Sequence, residues 1–218
     1  MIEVESVKGG FLLSPPSPKD IGILLHGYGQ SAGELMGMGQ SLAQSGHQIF
    51  LPNLPGHGDH PHIFNASNVL LFINDCLFQL KASRLTPWAI GFSLGARIAQ
   101  KMSTCIEFSS LCMISPPLDQ ALTKETKKEL LGTLRMRWVR EIGPMVGLKE
   151  VLGELDMEVG NTRSLIVKAK SDLSAVDEFI NQWATVYSQP EIQVINNADH
   201  MSICHHPETI ETIGRWHN

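Results

Sequence analysis

The chain has 218 residues, of which 43% are hydrophobic and 18% are charged, and this composition predicts one folded domain with a large core. Its formal net charge of -5 argues against the basic surface that binds nucleic acid. The sequence opens without a secretory signal and has no apolar run near the roughly 20 residues that span a bilayer, so we expect a cytoplasmic protein without a membrane span.

Eight short apolar runs recur along the chain, separated by polar residues and glycines. In order they are IEVESV, GFLLS, IGILLH, HQIFLP, PWAIGF, SLCMIS, SLIVKA and EIQVIN. Several show little alternation between polar and apolar residues, which is typical of strands buried on both faces of a sheet. We therefore predict eight strands, several of them central.

Five stretches with helical patterning lie between these runs, at 32–45, 66–83, 94–104, 175–188 and 206–216. Strands that alternate with helices form βαβ units, so the fold class is α/β, with a mostly parallel eight-stranded sheet between two layers of helices. No helical stretch separates the first two runs, so we expect them to form an antiparallel hairpin at one edge of this three-layer sandwich.

Residues 116–161 interrupt the alternation of strands and helices. This segment contains no clear strand, is charged and helix-forming, and has breaks at Gly132, Gly143 and Gly153. A long connection in a compact domain usually has a function. We predict a small helical lid inserted into a single domain that covers residues 1–218; an ordinary crossover helix with a long loop is the alternative.

Three polar residues follow three different predicted strands. Ser93 lies in GFSLG, Asp172 lies in KSDLS, and His200 lies in NNADHMS. Because the carboxyl ends of parallel strands share one edge of a sheet, we expect these side chains to lie close together. Serine is a weak nucleophile until a base takes its proton. His200 is the predicted base, and Asp172 is predicted to orient and stabilise its imidazole.

A reaction at an acyl carbon also needs donors for the oxyanion. The backbone N–H of Leu94, at the start of the helix after Ser93, is one predicted donor, and that of Tyr28 in the HGYG loop is the other. Glycines at positions 91 and 95 suit the tight turn between strand and helix.

Five segments in this order resemble the motifs of the α/β-hydrolase superfamily. GFSLG resembles its nucleophile elbow, LLHGYG its oxyanion loop, and LPNLPGHGDH the turn after its fourth strand, with Asn53 where an aspartate is usual. KAKSDLSAVDEF resembles its acid loop and NNADHMSICHHPETI its histidine loop. The similarity runs from about Ile21 to Ile213 and implies a serine esterase or thioesterase with a reduced cap.

The predicted function is therefore cleavage of a carboxylic ester or thioester through an acyl-enzyme intermediate, with a small-molecule substrate and no cofactor. We expect the acyl pocket to lie between the elbow, the 53–64 loop and the 116–160 insertion. The residues predicted to line it are His26, His57, Leu118, Trp138, Met145 and Met201. For His26, a structural role in bracing the oxyanion loop is the alternative.

Other interpretations of the same residues remain open. The triad could serve C–C bond hydrolysis or an elimination, and the fold could belong to a binding protein without activity. Ser93 or Asp172 could instead cap a helix, with Asp177 as the second candidate acid. PGHGDHPH is close to a metal motif through His57, Asp59 and His60, but Pro55 stands where the first ligand is expected.

Overall fold

A computed structural model describes residues 1–118, 139–141, 146–155, 157–158, 162–187 and 191–217. All eight predicted runs form strands. Their bounds are β1 Glu3–Val7, β2 Gly10–Ser14, β3 Ile21–Leu25, β4 Gln48–Pro52, β5 Pro87–Phe92, β6 Leu111–Ile114, β7 Ser164–Ser171 and β8 Glu191–Asp199.

The five predicted helical stretches are also confirmed. The helices are α1 Met36–Gln44, α2 Ala66–Ser83, α3 Leu94–Ser103, α4 Val146–Glu154, α5 Ser174–Val186 and α6 Pro207–His217, and a 3₁₀ turn at Ala32–Leu35 precedes α1. The start of α2 shows how local chemistry sets a boundary, because the Asn65 side chain accepts a hydrogen bond from the Asn68 N–H at 2.8 Å. Within the described ranges, no helix combines the length and apolar character needed to cross a bilayer.

The eight strands form one sheet in the order β1-β2-β4-β3-β5-β6-β7-β8. β1 pairs antiparallel with β2, and β2 pairs antiparallel with β4. The other neighbours run parallel. The predicted antiparallel hairpin at one edge is therefore confirmed, and the carboxyl ends of β3, β5, β6, β7 and β8 meet at one edge of the sheet.

Helices cover both faces of this sheet. On β3, Ile21, Ile23 and Leu25 join one buried cluster with apolar residues of α2, α3, α4 and α5, whereas Leu24 joins a second cluster with residues of α1 and α6. Successive residues of a strand point to opposite faces, so a strand with a core on each side must be apolar throughout. The three-layer α/β sandwich predicted from the sequence is thus confirmed.

Most of the predicted insertion, residues 116–161, lies outside the described residues, and its role as a lid stays a prediction. Its two flanks are held by one side chain, that of Arg97 on α3, which is only 1% exposed. The guanidinium donates from Nη1 to the Pro117 carbonyl oxygen at 2.9 Å and from Nη2 to the Leu155 carbonyl oxygen. It also lies over the ring of Phe179, 5.1 Å from its centroid.

Candidate active site

Ser93 lies in the turn between β5 and α3, with backbone angles of φ 51° and ψ -116°. A positive φ is costly for a residue with a side chain, and such strain is characteristic of functional positions. Ser93 occupies the N-cap position of α3, but its side chain makes no capping hydrogen bond. The hydroxyl is therefore directed elsewhere, which disfavours the capping interpretation.

The glycines on either side of Ser93 allow strand and helix to approach closely. A Cβ on Gly91 would lie 2.2 Å from the Gly95 carbonyl oxygen, and a Cβ on Gly95 would lie 2.2 Å from the carbonyl oxygen of Leu25. No side chain fits in either place. The turn is therefore compact enough to present Ser93 at the edge of the sheet.

The structure brings Ser93, Asp172 and His200 together. The His200 Nε2 lies 3.1 Å from the Ser93 Oγ, and its Nδ1 lies 2.7 Å from the Asp172 Oδ1. A carboxylate only accepts hydrogen bonds, so the imidazole carries its proton on Nδ1 and leaves Nε2 to accept the hydroxyl proton of Ser93. This is the arrangement that activates a serine.

Asp172 is surrounded by donors. Its Oδ1 accepts from the Leu173 N–H at 2.9 Å, and its Oδ2 accepts from the Ser115 hydroxyl at 2.5 Å and from the Ala169 N–H at 2.9 Å. Burial alone would raise the pKa of this carboxyl, but the hydrogen bonds from His200, Ser115 and Ala169 outweigh it and lower the pKa below its usual value. Asp172 is therefore ionised at neutral pH.

The alternative acid, Asp177, lies on α5 with its side chain 55% exposed and pairs with Lys168. The alternative role for Asp172 as the cap of α5 is also disfavoured, because the N-cap residue of this helix is Leu173 and no side chain caps it. The geometry therefore favours Asp172 over Asp177 as the partner of His200.

The two predicted oxyanion donors lie on adjoining segments. Tyr28 lies in a turn closed by a hydrogen bond from the Gln30 N–H to the Gly27 carbonyl oxygen at 3.2 Å, and Leu94 is the first residue of α3. The start of α3 packs on this loop, since a Cβ on Gly95 would lie 2.6 Å from the His26 carbonyl oxygen. The first N–H groups of a helix have no acceptor within the helix, which suits Leu94 to the predicted role.

Residues 23–104 match a family model described as the alpha/beta hydrolase fold. This range contains the end of β3 and the loop before Tyr28 as well as the complete turn around Ser93. Over this part of the chain, the sequence is similar to the alpha/beta hydrolase fold family. A search of curated proteins returned no match.

Several solved structures with the α/β-hydrolase fold are similar over almost the whole chain. A monoacylglycerol lipase from Paleococcus ferrophilus shares 15% identity with a TM-score of 0.70, covering 99% of this chain and 96% of the lipase. A structure from a study of carboxylesterases of Nitrososphaera gargenis shares 15% identity with a TM-score of 0.73, over 99% and 97%. A marine microorganism esterase shares 15% identity with a TM-score of 0.71, over 98% of each chain. At this identity, the similarity establishes the fold.

Sequence reasoning missed Ser115 as a member of the site in this α/β-hydrolase-fold chain. It is fully buried, directly follows β6, and donates to Asp172. A signal was present, because SLCMIS ends in a polar residue at the same sheet edge as Ser93 and Asp172.

The predicted placement of His26 and His57 in the substrate pocket is corrected by the structure. Both rings are 0% exposed. His26 is bonded through Nδ1 to the Gly27 carbonyl oxygen at 2.8 Å and accepts the Leu54 N–H on Nε2 at 3.0 Å. With both nitrogens bonded to backbone, this ring braces the HGYG loop against the 53–64 loop, which favours the alternative, structural interpretation.

His57 forms the reciprocal brace. Its Nδ1 is bonded to the Pro55 carbonyl oxygen at 2.8 Å, and its Nε2 accepts the Gly29 N–H at 3.0 Å. Each loop therefore contributes one histidine that binds backbone of the other loop. Because both nitrogens of His57 are already occupied, the ring offers neither a substrate contact nor the ligand atom required by the PGHGDHPH metal interpretation.

The other four residues predicted to line the acyl pocket do not form a common site in the described part of the structure. Leu118 is 8% exposed and belongs to the core cluster beside α3 and α5, and Met201 is half-buried next to His200. Trp138 and Met145 lie outside the described residues. A groove of about 660 Å³ between α2 and the β1–β2 hairpin is lined by residues such as Phe50, Phe72 and His60, but by no triad residue. The acyl pocket beside Ser93 therefore stays a prediction.

Asn53 stands where an aspartate is usual in the motif that this segment resembles, and its hydrogen bonds explain the difference. Its Oδ1 accepts the Ala32 N–H at 2.7 Å, and its Nδ2 donates to the Asp59 Oδ1 at 2.7 Å. An aspartate could not donate to Asp59 and would place two carboxylates together. The substitution therefore fits the local partners and leaves the triad untouched.

Metal-ligating side chains converge at the opposite edge of the sheet. Among the residues that the structure describes, Asp20, His47 and His217 form the one such group. The Asp20 Oδ1 lies 2.7 Å from both the His47 Nδ1 and the Trp88 Nε1. The buried His47 Nε2 has no hydrogen-bond partner within the described ranges. The His217 Nε2 lies 3.6 Å from the Asp20 Oδ2, so we interpret this group as a polar tie between the starts of β3 and β4 and the end of α6.

The histidine braces predict acid sensitivity. Burial, reinforced by repulsion from His57, lowers the pKa of His26 from 6.5 to about 3, and burial lowers that of His57 to about 4. Below about pH 6.5 these histidines are protonated in the unfolded chain but remain neutral in the native state. The free energy of unfolding therefore falls as the pH drops, by up to about 1.4 kcal/mol per pH unit for each histidine. Urea unfolding followed by circular dichroism at pH 7, 6 and 5 measures this loss.

A pair of variants isolates the source of this acid sensitivity. His57→Gln removes one buried imidazole and should flatten the dependence of unfolding free energy on pH, even if the variant is less stable at pH 7. His205→Gln removes an exposed imidazole and should leave the wild-type dependence unchanged. Equal slopes for His57→Gln and wild type would contradict the assignment.

Proposed function

We propose that this protein is a serine hydrolase that cleaves carboxylic esters or thioesters. The observation that carries the proposal is the separation of 3.1 Å between the His200 Nε2 and the Ser93 Oγ, with Asp172 bonded to the opposite ring nitrogen. A hydroxyl, a base and an orienting carboxylate within hydrogen-bonding distance form a set of groups suited to acyl transfer.

In the first half of the proposed reaction, Ser93 Oγ attacks the acyl carbon while its proton passes to His200 Nε2. Asp172, ionised and fixed by its donors, stabilises the imidazolium that forms. The N–H groups of Tyr28 and Leu94 are proposed to bind the oxyanion, the latter with support from the positive end of the α3 dipole. Collapse of the tetrahedral intermediate breaks the bond to the leaving group, which takes the proton from Nε2.

In the second half, water replaces the alcohol or thiol. His200 accepts a proton from the water, whose oxygen attacks the acyl carbon bound to Ser93. The second tetrahedral intermediate releases the acid and returns the proton to Ser93. No cofactor takes part in this scheme. The names of the structural neighbours, a monoacylglycerol lipase and carboxylesterases, support an ester as the substrate class.

Two assays test the proposal. A fluorophosphonate probe should label the wild-type protein, with the modified residue mapping to Ser93, and p-nitrophenyl esters of graded chain length should be hydrolysed without inhibition by a chelator. An enzyme of C–C bond cleavage would turn over these esters poorly. Failure of both labelling and hydrolysis would reject the proposal and favour a binding protein on the same fold.

A further inference from the structure

Ser115 contacts the acid of the proposed triad from the neighbouring strand. Its hydroxyl donates to the Asp172 Oδ2 at 2.5 Å, and the residue is 0% exposed. The geometry points to Ser115 as a positioning residue that holds the Asp172 carboxylate in the orientation in which it receives the Nδ1 proton of His200. The inference rests on the proposed function, since it assigns Ser115 a part in the same reaction.

The backbone of Ser115 is held in a costly conformation. Its φ is 48°, in the left-handed region that favours glycine, and four non-glycine residues of the described chain share a positive φ: Arg84, Ser93, Ser115 and Asn197. The Ser115 N–H donates to the Val167 carbonyl oxygen at 2.8 Å, so it remains tied to β7 despite this strain. Backbone strain of this kind is concentrated at functional positions, and here it coincides with the hydrogen bond to Asp172.

The end of β6 contacts both the nucleophile and the acid. The carbonyl oxygen of Ile114 accepts the N–H of Ser93 at 2.8 Å, and the next residue along the chain donates to Asp172. This dipeptide therefore links the turn that carries Ser93 to the loop that carries Asp172. His200 must fit between these two groups, so the link bears directly on the geometry of proton transfer.

The two oxygens of Asp172 have separate sets of donors. Oδ1 accepts hydrogen bonds from the His200 ring and the Leu173 N–H, whereas Oδ2 accepts them from the Ser115 hydroxyl and the Ala169 N–H. Loss of the hydroxyl removes one of the two donors on Oδ2. The carboxylate can then rotate, and its charge becomes less dispersed, which raises the pKa of Asp172 and its attraction for a proton on the neighbouring imidazole.

Two variants remove the hydroxyl with opposite effects on the backbone. Ser115→Ala keeps the strained conformation, whereas Ser115→Gly relieves it. Both should lower kcat for a p-nitrophenyl ester about tenfold while changing KM by less than about twofold, because the lost hydrogen bond acts on the transition state through Asp172. Both should also move the acid limb of the kcat/KM profile to higher pH, since the histidine–aspartate pair takes up a proton more readily.

Ser110→Ala is the matched control, because Ser110 is a buried serine at the other end of β6, bonded to His217. This variant should keep the wild-type acid limb. If the Ser115 variants also keep it, the inference is overturned and the proposed function stands.

A second readout does not depend on turnover. The proton between the His200 Nδ1 and Asp172 should give a low-field resonance in the ¹H NMR spectrum, which should shift in Ser115→Ala and Ser115→Gly but not in Ser110→Ala. An unshifted resonance in the Ser115 variants overturns the inference, even if wild type is inactive toward esters.

Discussion

Ser93→Ala should reduce ester turnover by about 10⁴-fold or more, because the hydroxyl is the only group in the proposed mechanism that forms the acyl bond. Residual activity would come from binding and from the oxyanion donors alone. The measurement is kcat/KM for the best p-nitrophenyl ester of the panel, together with labelling by the fluorophosphonate probe, which should disappear.

Ser109→Ala is the control for this prediction. Ser109 is exposed and lies before β6, at the edge of the sheet opposite Ser93. The control should retain wild-type turnover and labelling. If Ser93→Ala kept most of its activity while it remained folded, the acyl-enzyme mechanism would be rejected, and activity that was then lost with a chelator would favour a metal-dependent reaction.

Asp172→Asn should reduce kcat by about 10³- to 10⁴-fold with little effect on the fold. An amide can present its NH₂ group to the His200 Nδ1, which must then carry a lone pair. The proton moves to Nε2, and the ring can no longer accept the hydroxyl proton of Ser93. Steady-state kinetics at pH 7 and circular dichroism would separate this effect from unfolding.

Asp177→Asn provides the comparison, because Asp177 was the second candidate acid and has the same side chain on the neighbouring helix. It pairs with Lys168 at the surface, so the variant should stay within about twofold of wild type, as exposed ion pairs contribute little. The assignment of the acid would be reversed if Asp177→Asn were the more damaged of the two.

The strands and helices were predictable because each central strand packs against an apolar layer on both of its faces. The run IGILL is buried at every position, and such a pattern is visible without any knowledge of its neighbours. The ends were less predictable. β7 and β8 continue beyond their predicted runs, to Ser171 and Asp199, because these residues pair across an irregularity in register after Ala169. Pairing between distant segments decided these bounds.

The candidate site was predictable where chemistry and topology coincide. Ser93, Asp172 and His200 each follow a parallel strand, and the sheet brings such positions to one edge. The roles of His26 and His57 were harder to assign, because a histidine in a loop can bind substrate, metal or backbone. Only the partners of both ring nitrogens distinguish these roles, and the partner of Nε2 lies 28 residues away in each case.

The clamp formed by Arg97 has a consequence for how this fold can diversify. Pro117 lies shortly after the end of β6 and Leu155 directly follows α4, and the carbonyl oxygens of both residues are bound by one guanidinium on α3. Arg97 therefore anchors both flanks of the predicted insertion to the same helix. We expect that segments of other lengths and compositions could be inserted between these two anchors while α3 and the turn that carries Ser93 keep their places.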